Sequence, residues 1–170
     1  MIEKIKKQIL ESAAVKENMA EACVADMEAA AIIMISCIKN GGKILWCGNG
    51  GSAGDAQHLS TELMGGMTSH DRKPIPSIAL TTDTSFLTAW ANDTDFESIF
   101  SRQVQGLGCE GDVLVGISTS GNSENVIAAV KQAKYKELKT IVFTGKSGGR
   151  MAGLADVTIH VPSEDTQRIQ

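Results

Sequence analysis

The chain has 170 residues, 42% of them hydrophobic and 21% charged, with a formal net charge of -4. That length suits one domain with a single substantial core, and the composition is that of a folded globular protein rather than a disordered one. The acidic balance argues against a general nucleic-acid binder, which needs a basic surface to neutralise phosphates.

The N-terminus, MIEKIKKQIL, mixes charge into its apolar residues and has neither a signal-like apolar stretch nor a cleavage site. No segment reaches the roughly 18 uninterrupted apolar residues of a spanning helix, so a cytoplasmic protein without membrane contact is expected. Residues 2 to about 40 lack proline and glycine and carry apolar residues at helical spacing, as in Ile5, Ile9, Ala13 and then Met27, Ala31, Met34, Ile38. This pattern predicts two helices ending at Gly41-Gly42. Cys23, Cys37 and Cys47 fall in apolar runs and read as core. With Cys109 they form no C-x-x-C pair, and four free thiols are expected.

The run KILWCG (43 to 48) is bounded by glycines and followed by a helical stretch from Ser52 to Met64. Strand, loop and helix recur with IALTT (78 to 82) and the helix from Asp83 to Ala91, then with DVLVGIS (112 to 118) and the helix after Ser123. They recur again with TIVFTG (140 to 145) and a short helix near Arg150, and VTIHV (157 to 161) closes the series. Alternation of this kind implies right-handed crossovers and an α/β fold, a doubly wound five-stranded parallel sheet flanked by helices. We expect one domain over 1 to 170, with N-terminal helices over 1 to 40 and the α/β core over 41 to 170. Ligands of such sheets bind beyond the carboxyl ends of the strands where strand order reverses, which directs attention to the loops after KILWC and DVLVGI.

The first loop, Cys47 to Gly54, holds four glycines and leads into a helix, so backbone amides can approach an anion, with Ser52 as N-cap. No Gly-Lys-Ser/Thr follows, which excludes a Walker A loop. Gly48-x-Gly50-x-x-Ala53 with Asp83 after the next strand leaves a dinucleotide site open, as does a plain tight turn. The second loop, Ser118-Thr119-Ser120-Gly121-Asn122-Ser123, places four hydroxyls at a strand-to-helix junction and suits a phosphate monoester, although serines also cap helices routinely. On the helix between, Ala56, Leu59 and Leu63 form a buried stripe, while Asp55, His58 and Glu62 share the other face. Histidine and carboxylate one turn apart can hold a metal ion or an acid/base pair, or can be a solvated surface. Asn92-Asp93 reads as a helix end, and His70 and His160 as surface residues.

C-G-N-G-G-S (47 to 52), H-x-x-x-E (58 to 62), N-D (92 to 93), F-S-R (100 to 102), G-I-S-T-S-G-N-S (116 to 123) and R-I-Q (168 to 170) occur in order. In these motifs the chain closely resembles the phosphoheptose isomerases, a family with the sugar isomerase (SIS) fold. The serine-rich loop is common to many SIS domains. The H-x-x-x-E pair, N-D and R-I-Q are more specific to the heptose enzymes. The resemblance implies conversion of sedoheptulose 7-phosphate to D-glycero-D-manno-heptose 7-phosphate, towards bacterial surface polysaccharide. It implies substrate contacts at Asn49, Gly50, Gly51, Ser52, Asn92, Asp93, Ser118, Thr119, Ser120, Ser123 and Gln170. It also implies zinc at His58, Glu62 and Gln170, and a homotetramer with shared sites.

The chemistry is independent of the name. Interconverting a 2-ketose and an aldose moves a proton between C1 and C2 through an enediol and needs no redox cofactor. Glu62 is the candidate base, also touching substrate, and Asp93 the candidate helper in ring opening. The family continues past R-I-Q into a helix bearing a further histidine, so a continuation beyond Gln170 is expected. The competing expectation is a non-catalytic SIS module that binds a phosphosugar or a protein, against which His58 and Glu62 argue.

Overall fold

The computed structural model describes residues 1–170. Two helices, α1 (Ile2–Ala22) and α2 (Val24–Lys39), precede β1 (Ile44–Gly48), α3 (Gly51–Gly65), β2 (Ser77–Ala79), α4 (Thr84–Asp93), α5 (Ile99–Leu107), β3 (Val113–Ser118), α6 (Glu124–Tyr135), β4 (Lys139–Thr144), β5 (Val157–His160) and the single turn α7 (Thr166–Ile169). The five strands pair in the order β2-β1-β3-β4-β5. Every pairing is parallel. The doubly wound fold expected from the strand-loop-helix alternation is therefore present.

All positions of β1 and β3 are buried, as a strand covered on both faces requires. Alternation sends Leu45, Cys47, Leu114 and Val142 to a core shared with α5 and α6, and Ile44, Trp46, Val113, Val115 and Ile141 to a core shared with α2 and α3. Cys23, Cys37 and Cys47 are buried and Cys109 is exposed, all as free thiols. Burial alone pushes the Cys47 thiol up to about 12.

Four local expectations change. The strand at 78 to 82 shortens to Ser77–Ala79, because the Thr82 hydroxyl turns back to donate to the Ala79 carbonyl. The helix near Arg150 is absent. Gly148 and Gly149 take φ of 71° and 53°, which turn the chain back instead of starting a helix. Helix α5 was not anticipated, although it buries Ile99, Phe100 and Val104 on one face at about 1.5–3 kcal/mol each. Finally, α1 buries none of its residues: Ile5 and Ile9 are exposed, while α2 packs through Ala30, Cys37, Ile33, Met34 and Ile38.

The inner strands are pinned at their amino ends. Buried Asp112 accepts from the backbone N–H of Lys43 at 2.9 Å and of Cys109 at 2.8 Å, and pairs with Lys43 Nζ at 2.5 Å. Asp112→Ala would orphan both amides and the half-buried ammonium. Discounted for the partial exposure of Lys43, the expected loss is about 3 kcal/mol, read as a lower midpoint in urea with an unchanged slope.

Candidate active site

Strand order reverses between β1 and β3, where Gly48 stands beside Ile117. The glycine loop and the hydroxyl loop therefore leave the sheet side by side at its carboxyl end. Gly50, with φ of 55°, occupies the N-cap of α3. Ser52 is thus inside the helix rather than at its cap. Its buried hydroxyl accepts from Gln170 Nε2 at 3.2 Å.

That bond brings the last residue onto the start of α3, and a Cβ at Gly51 would lie 2.5 Å from Gln170 Nε2. The same carboxamide, with Ile169, joins Asp55, His58 and Leu59 of α3 and Ile117, Thr119, Phe143, Thr144 and Ile159 of the strand ends around a cavity of about 360 Å³. Burial raises the Asp55 carboxyl pKa above its ordinary value, and neighbouring His58 opposes that shift. His58 and Glu62 lie one helical turn apart, with Nδ1 4.0 Å from Oε1.

In the hydroxyl loop the Ser118 hydroxyl is 2.9 Å from that of Ser123 and 3.4 Å from that of Ser120. The Ser123 side chain turns towards Ser118 and makes no cap bond to α6, although Ser123 occupies its N-cap. The three hydroxyls thus face one another above β3. Thr119 and Ser120 also line a polar cleft of about 320 Å³ with Lys146, Ser147 and Glu164. The loop is braced from outside: Gly145 N–H donates to the Thr119 carbonyl and Met151 N–H to the Gly121 carbonyl, each at 3.0 Å. A Cβ at Gly121 would sit 2.0 Å from the Gly148 carbonyl oxygen, so only glycine allows this approach.

Asn49 and Asn125 exchange two side-chain hydrogen bonds, each 2.8 Å, across the two loops. Asn125, buried in the first turn of α6, is not among the residues that the sequence motifs single out. The signal available was a polar, weakly helix-forming residue among apolar α6 positions. Asn92 and Asp93 stand apart: both are exposed at the end of α4 and bond to each other at 2.8 Å. Asp83 caps α4 by accepting from the Phe86 N–H, a local use for the residue that had suggested a dinucleotide fingerprint. His70 is exposed as expected. His160 is half-buried on the edge strand, 3.4 Å from the Thr144 hydroxyl, because the Gly148 turn packs against its ring.

For a metal, His58 and Glu62 offer an imidazole nitrogen and a carboxylate at a separation that a small side-chain rotation reduces to that of two ligands on one ion. No three His, Cys, Asp or Glu side chains cluster there. The cavity lined by His58 also holds the Asp55 carboxylate and the Gln170 carboxamide, whereas Glu62 lies outside its lining. The donor set fits a borderline cation such as zinc.

Residues 9–145 match the SIS domain family. Over its full length the chain is 52% identical to the phosphoheptose isomerase of Aquifex aeolicus (strain VF5), spanning 88% of that protein. It superposes on phosphoheptose isomerase GmhA of Neisseria gonorrhoeae with a TM-score of 0.92 at 46% identity, covering 98% of this chain and 90% of that one. For a phosphoheptose isomerase of Francisella tularensis the TM-score is 0.95 at 40% identity, covering 99% and 89%. With this likeness along the whole chain, and a hydroxyl loop set beside a His-Glu helix at the sheet's switch point, the protein belongs to the phosphoheptose isomerase family of SIS-domain proteins.

Proposed function

We infer that the protein is an aldose-ketose isomerase that converts sedoheptulose 7-phosphate to D-glycero-D-manno-heptose 7-phosphate, a step of heptose biosynthesis. The observation that carries the reading is the adjacency of two unlike loops: facing hydroxyls after β3, and after β1 a helix bearing His58 and Glu62.

In this reading the phosphate enters the hydroxyl loop, where Ser118, Thr119, Ser120 and Ser123 and the amides of the α6 terminus hold it. Anchored there, the sugar runs towards the glycine loop, with Asn49, Gly50, Gly51, Ser52 and Gln170 along its chain, and presents C1 and C2 to α3. Glu62 removes a proton from C1 of the open-chain ketose. The C–H electron pair becomes the C1=C2 bond as the C2 oxygen gains a proton, giving the enediol. Loss of the O1 proton and delivery of a proton to C2 complete the aldose. Asp93, with Asn92, exposed at the end of α4, contacts the substrate and assists ring opening at a site shared between subunits. Run in deuterium oxide, the reaction should place deuterium at C2 of the product. Its absence at every extent of conversion would show that the C1 hydrogen reaches C2 without exchange, by a hydride shift or on a base closed off from solvent.

Zinc held by His58, Glu62 and Gln170 belongs to the same proposal, and when bound it would polarise the substrate's C1 and C2 oxygens. His58→Ala should lower the zinc content of the purified protein, and unchanged metal content would take His58 out of the ligand set. The exposed apolar residues of α1, including Ile2, Ile5, Ile9 and Leu10, support assembly as a homotetramer with shared sites. Light scattering should give four times the 18.0 kDa chain mass, and a monomer mass would refute it. We place the protein in the cytoplasm on its four free thiols. No helix is long and apolar enough to cross a membrane.

A further inference from the structure

We propose that Asn125 is a positioning residue for the isomerisation: through Asn49 it locks the glycine loop to the hydroxyl loop and sets the spacing between phosphate anchor and reacting carbons. The proposal rests on the isomerase reading above. Each carboxamide has one donor and one acceptor end, and here both ends of each are used, Asn49 Nδ2 to Asn125 Oδ1 and Asn125 Nδ2 to Asn49 Oδ1, both at 2.8 Å. Such a reciprocal pair closes only when the two amide groups meet in one orientation, so it fixes the Asn49 side chain as well as the distance between the loops.

The two ends belong to different parts of the site. Asn49 directly follows β1 and precedes α3, the helix of His58 and Glu62. Asn125 lies two residues beyond Ser123 in the first turn of α6, where it is 3% exposed. No other side chain hydrogen-bonds to either amide group, so neither side chain has a substitute partner in the fold. Asn49 retains one N–H and one oxygen lone pair free for a substrate hydroxyl. Backbone pairing of β1 with β3 stops at Gly48 and Ile117, just below the loops. Above that point this amide pair is the side-chain hydrogen bond that joins the glycine loop to α6. Substrate binds across the gap it spans, and a misplacement of about 1 Å at the reacting carbons costs rate more than affinity.

The test is a mutant cycle on the full chain with sedoheptulose 7-phosphate as substrate. Asn125→Ala should lower kcat/KM by about 10-fold and Asn49→Ala by at least that much, since it also loses its substrate contact, and the double variant should fall no further than Asn49→Ala, because either change removes the same pair. In the Asn125 variants the loss should appear mainly in kcat. Asn125→Asp keeps the shape and the acceptor but loses the donor, so it should be impaired at least as much as Asn125→Ala at pH 8. A residue needed only for packing would instead show its loss in the urea midpoint, with kcat of the folded variant retained. The proposal is overturned by additive losses that put the double variant about 10-fold below Asn49→Ala, by an Asn125→Asp enzyme with wild-type kcat, or by a defect confined to KM. An inactive wild type would instead overturn the isomerase reading, whereas those three results arise in an active enzyme and overturn the positioning role alone.

Discussion

Glu62→Gln is expected to bind sedoheptulose 7-phosphate with near wild-type affinity and to turn it over at least about 10²-fold more slowly, since the amide keeps the shape of the carboxylate but cannot take a proton. The local geometry favours a clean result. The Glu62 side chain is 27% exposed and its carboxylate has one ionic neighbour, His58, at 4.0 Å, so the fold does not depend on its charge. The substitution should leave the urea midpoint within the small range of surface changes. Binding of substrate by calorimetry and single-turnover kinetics separate the two quantities. Near-normal turnover in the variant would exclude Glu62 as the base and move the search to Asp55, the other carboxylate of α3 and the one that lines the cavity.

The second large effect belongs to the other end of the substrate. Replacing Ser118 and Ser120 together by alanine removes two of the three hydroxyls that converge above β3. At about 1.5–3 kcal/mol for each hydrogen bond to a charged group, affinity should fall by roughly 3–6 kcal/mol, or between two and four powers of ten. The remaining Ser123 and the α6 amides cannot make up the difference. An unchanged dissociation constant for the double variant would show that phosphate lies elsewhere. The polar cleft lined by Lys146 and Ser147 would then be the place to look.

These two ends were legible in the sequence for different reasons. The hydroxyl loop announces itself by composition, four hydroxyls between a β-branched run and a helix, and the structure turns Ser118, Ser120 and Ser123 towards one another. The His58 and Glu62 pair follows from helical spacing alone, because residues four apart must share a face. The strands were legible because a strand buried on both faces needs a continuous apolar run, as in β1 and β3. Elements defined by long-range contact were not. Gln170 enters the site only through the family resemblance, since its bond to Ser52 spans 118 residues, and Asn125, which reaches Asn49 across 76, does not enter it at all. Nothing local in either sequence neighbourhood specifies those partners. Helix α5 was overlooked although Ile99, Phe100 and Val104 carry a helical apolar face, because Ser101, Arg102 and Gln103 interrupt it. The helix assigned near Arg150 failed for the opposite reason: a local pattern was overridden by two glycines whose left-handed backbone lets the turn pack against the hydroxyl loop.

Moving a proton between C1 and C2 of a phosphorylated seven-carbon sugar replaces its C2 ketone by a C1 aldehyde, a change visible in carbon spectra. The most direct measurement is to incubate the purified protein with sedoheptulose 7-phosphate and follow the carbon resonances of the mixture by NMR. An aldoheptose 7-phosphate should appear with wild-type protein, and little or none with Glu62→Gln at equal concentration. A spectrum in which the ketose persists unchanged with wild-type protein, while calorimetry shows that it binds, would contradict the isomerase assignment and favour a phosphosugar-binding SIS module.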